Sequence, residues 1–170
     1  MAEVTVSKQT DNNTQRTLQI VVFKLGQEEY GLRIDQIKEV VITPNITKMP
    51  QTPPYVKGVA NIRGNVIAIF DLEERFNLQR TETHLSGKRY TLVVESEDLK
   101  MGLLVNEVPN TISVNAGDLD ESVGIIADAN AEVNYIKGII KTGERLIILI
   151  DIFKVVDQEL STNLKKATAA

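Results

Sequence analysis

Cysteine is absent from the 170-residue chain, and so is tryptophan. Without thiols there is no disulfide scaffold, thiolate zinc site, iron–sulfur cluster or cysteine nucleophile. Histidine occurs once, as His84. A multi-histidine metal site is therefore excluded, and any Ser-His-Asp triad would have to use that residue. It stands in the polar run Thr83-His84-Leu85-Ser86, with no sign of a partner to orient it or a wall to exclude water, and reads as a solvated linker histidine.

Positive charge is not in excess either. The formal net charge is −4, which gives no global pull toward phosphate backbones or anionic lipid. Aromatic residues are only 5% of the chain. Tyr30, Tyr55, Tyr90 and Tyr135 do not gather on one basic strand, as a nucleic-acid-stacking surface would require. They read instead as core residues with a tethered hydroxyl. The longest clean apolar run is Leu146 to Ile150, far short of the roughly 20 residues of a membrane helix. The N-terminus is polar and has no apolar signal region. A soluble cytoplasmic protein with no nucleic-acid partner and no membrane insertion is the expectation. No phosphate-binding G-x-x-x-x-G-K-S/T, no G-x-G-x-x-G and no G-x-S-x-G is present.

What is present is β-pattern. Hydrophobic residues make up 42% of the chain, enough for a real core. Residues 1–16 and 161–170 are polar, have no sustained period and are expected to be flexible arms. The β-branched run from Leu18 to Leu25, the turn Gly26-Gln27-Glu28-Glu29 and the run from Tyr30 to Ile34 predict a hairpin. Asp35 to Lys38 can make one helical turn before a strand at Glu39 to Ile42. Pro44, Pro50, Pro53 and Pro54 then fix an extended connection, because proline locks φ and cannot donate to a ladder. Val56 to Ile62 and Val66 to Phe70 predict strands around the tight turn Arg63-Gly64-Asn65. Asp71 caps a short helix through Phe76. Asn77 to Lys88 is unpatterned and is taken as a boundary.

The pattern then starts again. Tyr55-Val56-Lys57-Gly58-Val59 matches Tyr135-Ile136-Lys137-Gly138-Ile139, 80 residues on. The same offset carries Val66 to Leu72 onto Leu146 to Ile152. Gly31 to Ile37 matches Gly102 to Val108, 71 residues on. The matches occur in the same order in both halves, so two similar β units of about five short strands are expected. Short strands with Gly and Pro turns favour barrels, which also remove open edges. The predicted division is a first barrel over 17–80, a linker over 81–88 and a second barrel over 89–160. The second barrel would end in a helix from Ile152 to Leu160, whose apolar stripe would pack on it.

Chemistry is scarce. Asp118, Asp120 and Glu121 hold only fragments of a calcium loop and read as a loop or helix start. Asp71 and Asp151 could form an acid pair for hydrolysis only at the separations glycosidases use. Both begin helix patterns, and capping accounts for them without chemistry. Arg63, in a tight turn between Ile62 and Gly64, could present a donor fork to a partner carboxylate or stay solvated; both readings are open at this point. Glu39, between Lys38 and Val40, poses the same question.

Lys48-Met49-Pro50 through Tyr55-Val56-Lys57-Gly58-Val59-Ala60-Asn61-Ile62-Arg63-Gly64 and on to Asp71-Leu72 resembles the central signature of the bacterial chemotaxis coupling proteins, the CheW family. That signature has a proline-bearing approach, then Gly-Val-x-Asn-Leu/Ile-Arg-Gly, then an apolar strand ending in Asp-Leu. Gly26 to Gly31 with Ile37 to Val40 resembles the family's first hairpin, and Gly102 to Val108 its second. The family usually has Asp where this chain has Asn106. Gly138 to Ile152 resembles the family's end, so the likeness runs from about Leu18 to Val156. The resemblance implies two five-stranded SH3-like barrels packed together plus a C-terminal helix, an all-β fold with short helices. It implies a non-enzymatic adaptor, with no cofactor and no metal. Its partners would be the regulatory domain of the histidine kinase CheA and the cytoplasmic tip of methyl-accepting chemoreceptors, held at the groove between the barrels. Carried over by position, Arg63, Glu39, Lys57 and Ile37 resemble receptor-side residues. Val40, Ile42 and Ile46 are kinase-side candidates, as exposed β-branched residues. An adaptor or detached regulatory domain for another receptor–kinase system, such as surface motility, is the alternative.

Overall fold

The computed structural model describes residues 16–78, 89–97, 99–122 and 135–155. Most of the two expected arms, the linker 81–88 with His84, and the expected final helix beyond Val155 lie outside them. The strands are β1 (Thr17–Leu25), β2 (Glu28–Arg33), β3 (Ile37–Ile42), β4 (Val56–Ile62), β5 (Asn65–Asp71), β6 (Tyr90–Glu95), β7 (Lys100–Val105), β8 (Asn110–Asn115), β9 (Leu119–Asp120), β10 (Ile136–Thr142) and β11 (Arg145–Ile150). One short helix, α1 (Leu72–Arg75), follows β5, and 3-10 turns at Ile34–Gln36 and Ala116–Asp118 follow β2 and β8. A helical start at residues 152–155 follows β11. The fold is all-β with short helices, two curled sheets of the SH3-like barrel type.

By Cα proximity the chain falls into two compact units, residues 21–111 and residues 1–20 with 112–170. The first contains a complete five-stranded sheet in the order β3-β6-β7-β5-β4. Antiparallel pairing joins β3 to β6, β6 to β7 and β4 to β5, whereas β5 and β7 run parallel. Period-2 alternation sets the core: Ala60 and Ile62 on β4, Ile67 and Ile69 on β5, Val93 on β6 and Leu104 on β7 form one buried cluster. Each Ile, Val or Leu side chain of this cluster contributes about 1.5–3 kcal/mol when fully removed from water. The sheet closes on itself through the chain that leaves β3. Thr47 exchanges two backbone hydrogen bonds with Val59, of 2.8 and 2.9 Å, on the outer edge of β4. This close approach is the reason for Gly58. Its φ is +139°, and a Cβ there would lie 2.1 Å from the Thr47 carbonyl oxygen.

The second unit repeats these devices. β10 and β11 pair as β4 and β5 do, and the two-residue β9 takes the place of the Thr47 bridge on the edge of β10. A Cβ on Gly138 would meet the Asp120 carbonyl oxygen at 2.6 Å. In both hairpins the pairing shifts by one residue at the lysine, Lys57 or Lys137, between its two neighbours. Such a bulge re-aims a side chain. Lys57 Nζ lies 3.9 Å from Asp71, and Lys137 Nζ lies 3.9 Å from Asp151. The backbone N–H of each aspartate donates to the matching tyrosine carbonyl, Tyr55 or Tyr135, at 2.7 Å. The repeat read from the sequence is therefore a repeat of hydrogen bonds and ion pairs as well as of residue types.

Sheet membership departs from the expected division into 17–80 and 89–160. The six-stranded sheet has the order β8-β1-β2-β11-β10-β9. The hairpin β1–β2 thus sits in the sheet of β8–β11, and the hairpin β6–β7 in the sheet of β3–β5. Each sheet takes its hairpin from the other half of the chain. The physical reason is the parallel register of β5 with β7, Ala68 with Met101 through Asp71 with Leu104, because a parallel partner cannot be reached by a tight turn.

Candidate functional site

β4 and β5 join through two residues, Arg63 at φ +52° and Gly64 at φ +83°. Two successive positive φ values make the turn whose twist matches that of the strands it connects. Gly64 takes this conformation freely, whereas an L side chain there costs roughly 1–2 kcal/mol. The turn is held by Asn61, whose Oδ1 accepts from Gly64 N at 3.0 Å. Arg63 is thereby thrust outward with 74% of its side chain exposed, and its Nε donates to Glu39 Oε2 at 2.6 Å. An exposed ion pair of this kind is worth about 0–1 kcal/mol. It does little for stability, and it presents a guanidinium beside a carboxylate on the surface.

Glu39 reaches that position because of β3. The strand alternates half-buried Ile37, Glu39 and Val41 with exposed Lys38, Val40 and Ile42. Val40 is 42% and Ile42 60% exposed. The four receptor-side candidates therefore do not form one cluster. Arg63 and Glu39 touch, whereas the pairing with β6 shifts by one residue between Ile37 and Glu39, so Ile37, though half-buried, does not share the row of Glu39. Lys57 is at the other end of β4, six residues and about 20 Å from Arg63 at the usual strand rise. There its Nζ bonds Glu74 Oε2 at 2.7 Å. Of the kinase-side candidates, Val40 and Ile42 are exposed as expected. Ile46 is half-buried and packs against the buried cluster of the five-stranded sheet, because the chain at Thr47 must turn in to close the barrel. Exposure is therefore no reason to place Ile46 on a docking surface.

The acidic candidates are occupied by local structure. Asp71, 2% exposed, accepts from Glu73 N and Glu74 N at the start of α1. Asp151 accepts from Phe153 N at 3.1 Å. Both carboxylates cap a helix and face the bulged lysine of their own hairpin, so the acid-pair reading has no free carboxylates to use. Asp120 accepts from the Ser122 hydroxyl and backbone N–H, and these bonds hold its carboxyl below the usual aspartate range. Among the described residues no group of acidic or histidine side chains is arranged to hold a metal ion, and no helix is long and apolar enough to cross a membrane.

One buried charge went unread in the sequence. Glu73, 3% exposed, accepts from Gly26 N at 3.1 Å and from Asn106 Nδ2 at 2.6 Å. It ties α1 to the β1–β2 turn and to the loop after β7. Nothing in the order Asp-Leu-Glu-Glu distinguishes it from the exposed Glu74. Its donors lie 47 and 33 residues away.

Comparison with known proteins agrees with this geometry. Residues 19–160 match the family model of the CheW-like domain. The chain belongs to the CheW-like domain family. It is 34% identical over 139 residues to the chemotaxis protein CheW of Treponema pallidum, covering 80% of each chain. To the chemotaxis protein CheW of Helicobacter pylori it is 33% identical over 153 residues, 90% of this chain and 88% of that one. The crystal structure of the scaffolding protein TtCheW from Thermoanaerobacter tengcongensis superposes with a TM-score of 0.68 at 32% identity, over 80% of this chain and 90% of that one. The Arg63–Glu39 pair lies within the part of the chain that the CheW-like domain spans.

Proposed function

We propose that this chain is a cytoplasmic, non-enzymatic adaptor that couples methyl-accepting chemoreceptors to the histidine kinase CheA and passes receptor state to kinase activity. The observation that supports this most is the alternation of β3. One strand carries Glu39, joined to Arg63, and Val41 on its half-buried row, and Val40 and Ile42 on its exposed row. An adaptor must hold two proteins at once, and two rows of one strand provide two chemically different surfaces. In this reading Arg63 and Glu39 face the receptor tip together, with Ile37 and Lys57 outside that pair. Val40 and Ile42 face the regulatory domain of the kinase. Coupling requires no bond-making. The receptor need only bind the adaptor with different strength in its two signalling states, and the difference is passed on as a change in the kinase equilibrium.

The test is a pull-down of the receptor's cytoplasmic fragment with Arg63→Asp. Circular dichroism of the variant should match that of the parent, since the pair is exposed. Receptor capture should fall at least tenfold, which corresponds to about 1.4 kcal/mol, while kinase capture is retained. Unchanged receptor capture would contradict the proposed role of Arg63.

A further inference from the structure

The Arg63–Glu39 pair does not stand alone on its barrel. Glu39 faces Val93 in the register of β3 with β6, and Val93 belongs to the buried cluster. Glu95 lies two residues beyond Val93 and so on the same face. Diagonal neighbours such as Glu39 and Glu95 are about 7–8 Å apart. Lys100 on β7 is the register partner of Glu95, and it shares that face with Leu104, also of the cluster. Glu39, Glu95 and Lys100 therefore line the rim of the inner face, opposite Val40 and Ile42. Lys38 stands in the bulge between Ile37 and Glu39 and turns to the same rim, its ammonium 3.2 Å from Glu95 Oε2. The Lys100 ammonium approaches the other oxygen at 3.9 Å.

Two ammonium groups thus share one carboxylate, with Glu39 as the neighbouring acid. The Lys38 pKa is raised, first by hydrogen bonding with Lys100 and then by Glu95. That of Lys100 is lowered, first by the same bond and then by burial. On both lysines the charge of Glu39 acts in the raising direction.

Docking onto Arg63 has an electrostatic consequence for Glu39. Arg63 is 74% exposed and Glu39 only 20%. A partner carboxylate that takes the guanidinium leaves Glu39 without its counter-ion and sets a second negative charge beside it. The penalty for an unpaired, mostly buried carboxylate exceeds what the exposed pair contributes. An ammonium within reach of Glu39 removes that penalty, and a lysine stem is flexible enough to change partner.

We propose that Lys38 and Lys100 are positioning residues that act through Glu39: when Arg63 leaves Glu39 for a carboxylate of the docking partner, one of the two ammonium groups turns from Glu95 to Glu39. The inference rests on the adaptor reading above, and the partner is the receptor's cytoplasmic tip, presenting an acidic side chain to Arg63. The rim lysines compensate Glu39 and do not touch the receptor.

The experiment titrates the receptor's cytoplasmic fragment from the same organism into this chain by calorimetry. The regulatory domain of the kinase is titrated in parallel, and circular dichroism checks the fold of each variant. Lys38→Gln with Lys100→Gln should weaken receptor binding about threefold, the scale of exposed ion pairs. Glu95→Gln, which releases both ammonium groups to Glu39, should tighten it by a similar factor, an effect that a purely structural role of the cluster would not produce. In a Glu39→Gln background the lysine substitutions should have no effect, because no carboxylate is left to compensate. Kinase binding should be the same in all these variants. An equal loss with and without Glu39 would overturn the exchange and place the lysines in direct contact with the receptor. No loss in either background, or an equal loss of kinase binding, would also overturn it. In each of these cases receptor binding by the parent leaves the adaptor reading standing. If the parent binds no receptor fragment, the receptor half of that reading fails and the exchange with it.

Discussion

At the residue scale, Glu73 shows what a buried charge demands. Its two oxygens take one backbone donor, Gly26 N, and one side-chain donor, Asn106 Nδ2. An Asp at position 106 would set two carboxylates against each other. Asn106→Asp is expected to cost about 1–3 kcal/mol at pH 7, from a lost donor and like-charge contact. The loss should shrink as pH falls toward 5. The crowded pair would hold a proton more tightly folded than unfolded, so proton uptake then favours the folded state. Urea unfolding at several pH values measures this, and a loss that is absent or independent of pH would contradict it. The same residue marks where sequence reading stops. Asp71 was legible as a cap because its donors are two and three residues away. Glu73 was not, because its partners are set by tertiary structure.

At the scale of elements, local pattern carries far. β4 was legible to the residue as Val56 to Ile62, since alternation, Gly58 and the Arg63-Gly64 turn all agree. The Asp71 cap placed α1, which runs over Leu72–Arg75 and ends one residue short of the expected Phe76. β3 began earlier than expected, at Ile37, because the turn before it is a 3-10 turn that ends at Gln36. Two glycines separate two kinds of constraint. Gly64 needs only its backbone angle, with nothing within 4 Å of an added Cβ, whereas Gly58 needs both its angle and the space filled by Thr47. Gly64→Ala is expected to cost roughly 1–2 kcal/mol. Gly58→Ala should cost clearly more, because it also displaces the strand that closes the barrel. Equal losses in urea unfolding would contradict the closure described for Thr47 and Val59.

At the scale of the whole molecule, the duplication was legible and the partition was not. Matching runs such as Tyr55 to Val59 and Tyr135 to Ile139 announce two similar units, because each must satisfy the same bulge, cap and closure. Period-2 alternation does not say which distant strand a hairpin will join. The hairpins β1–β2 and β6–β7 look interchangeable in sequence, and each lies in the sheet that holds most of the other half. Of the candidate residues, Arg63 and Glu39 touch, whereas Lys57 pairs with Glu74, and Ile46, chosen as an exposed β-branched residue, packs half-buried against the core cluster because local pattern does not show where the chain turns in to close the barrel.

The central claim is that one chain holds a receptor and a kinase at the same time through separate surfaces. Sedimentation velocity on a mixture of this chain, the receptor's cytoplasmic fragment and the kinase regulatory domain tests it most directly. The account predicts a ternary species heavier than either pair, lost to binary adaptor–kinase complex with Arg63→Asp and to binary adaptor–receptor complex with Ile42→Asp. Competition between receptor and kinase for the chain, with only binary complexes at any ratio, would contradict it.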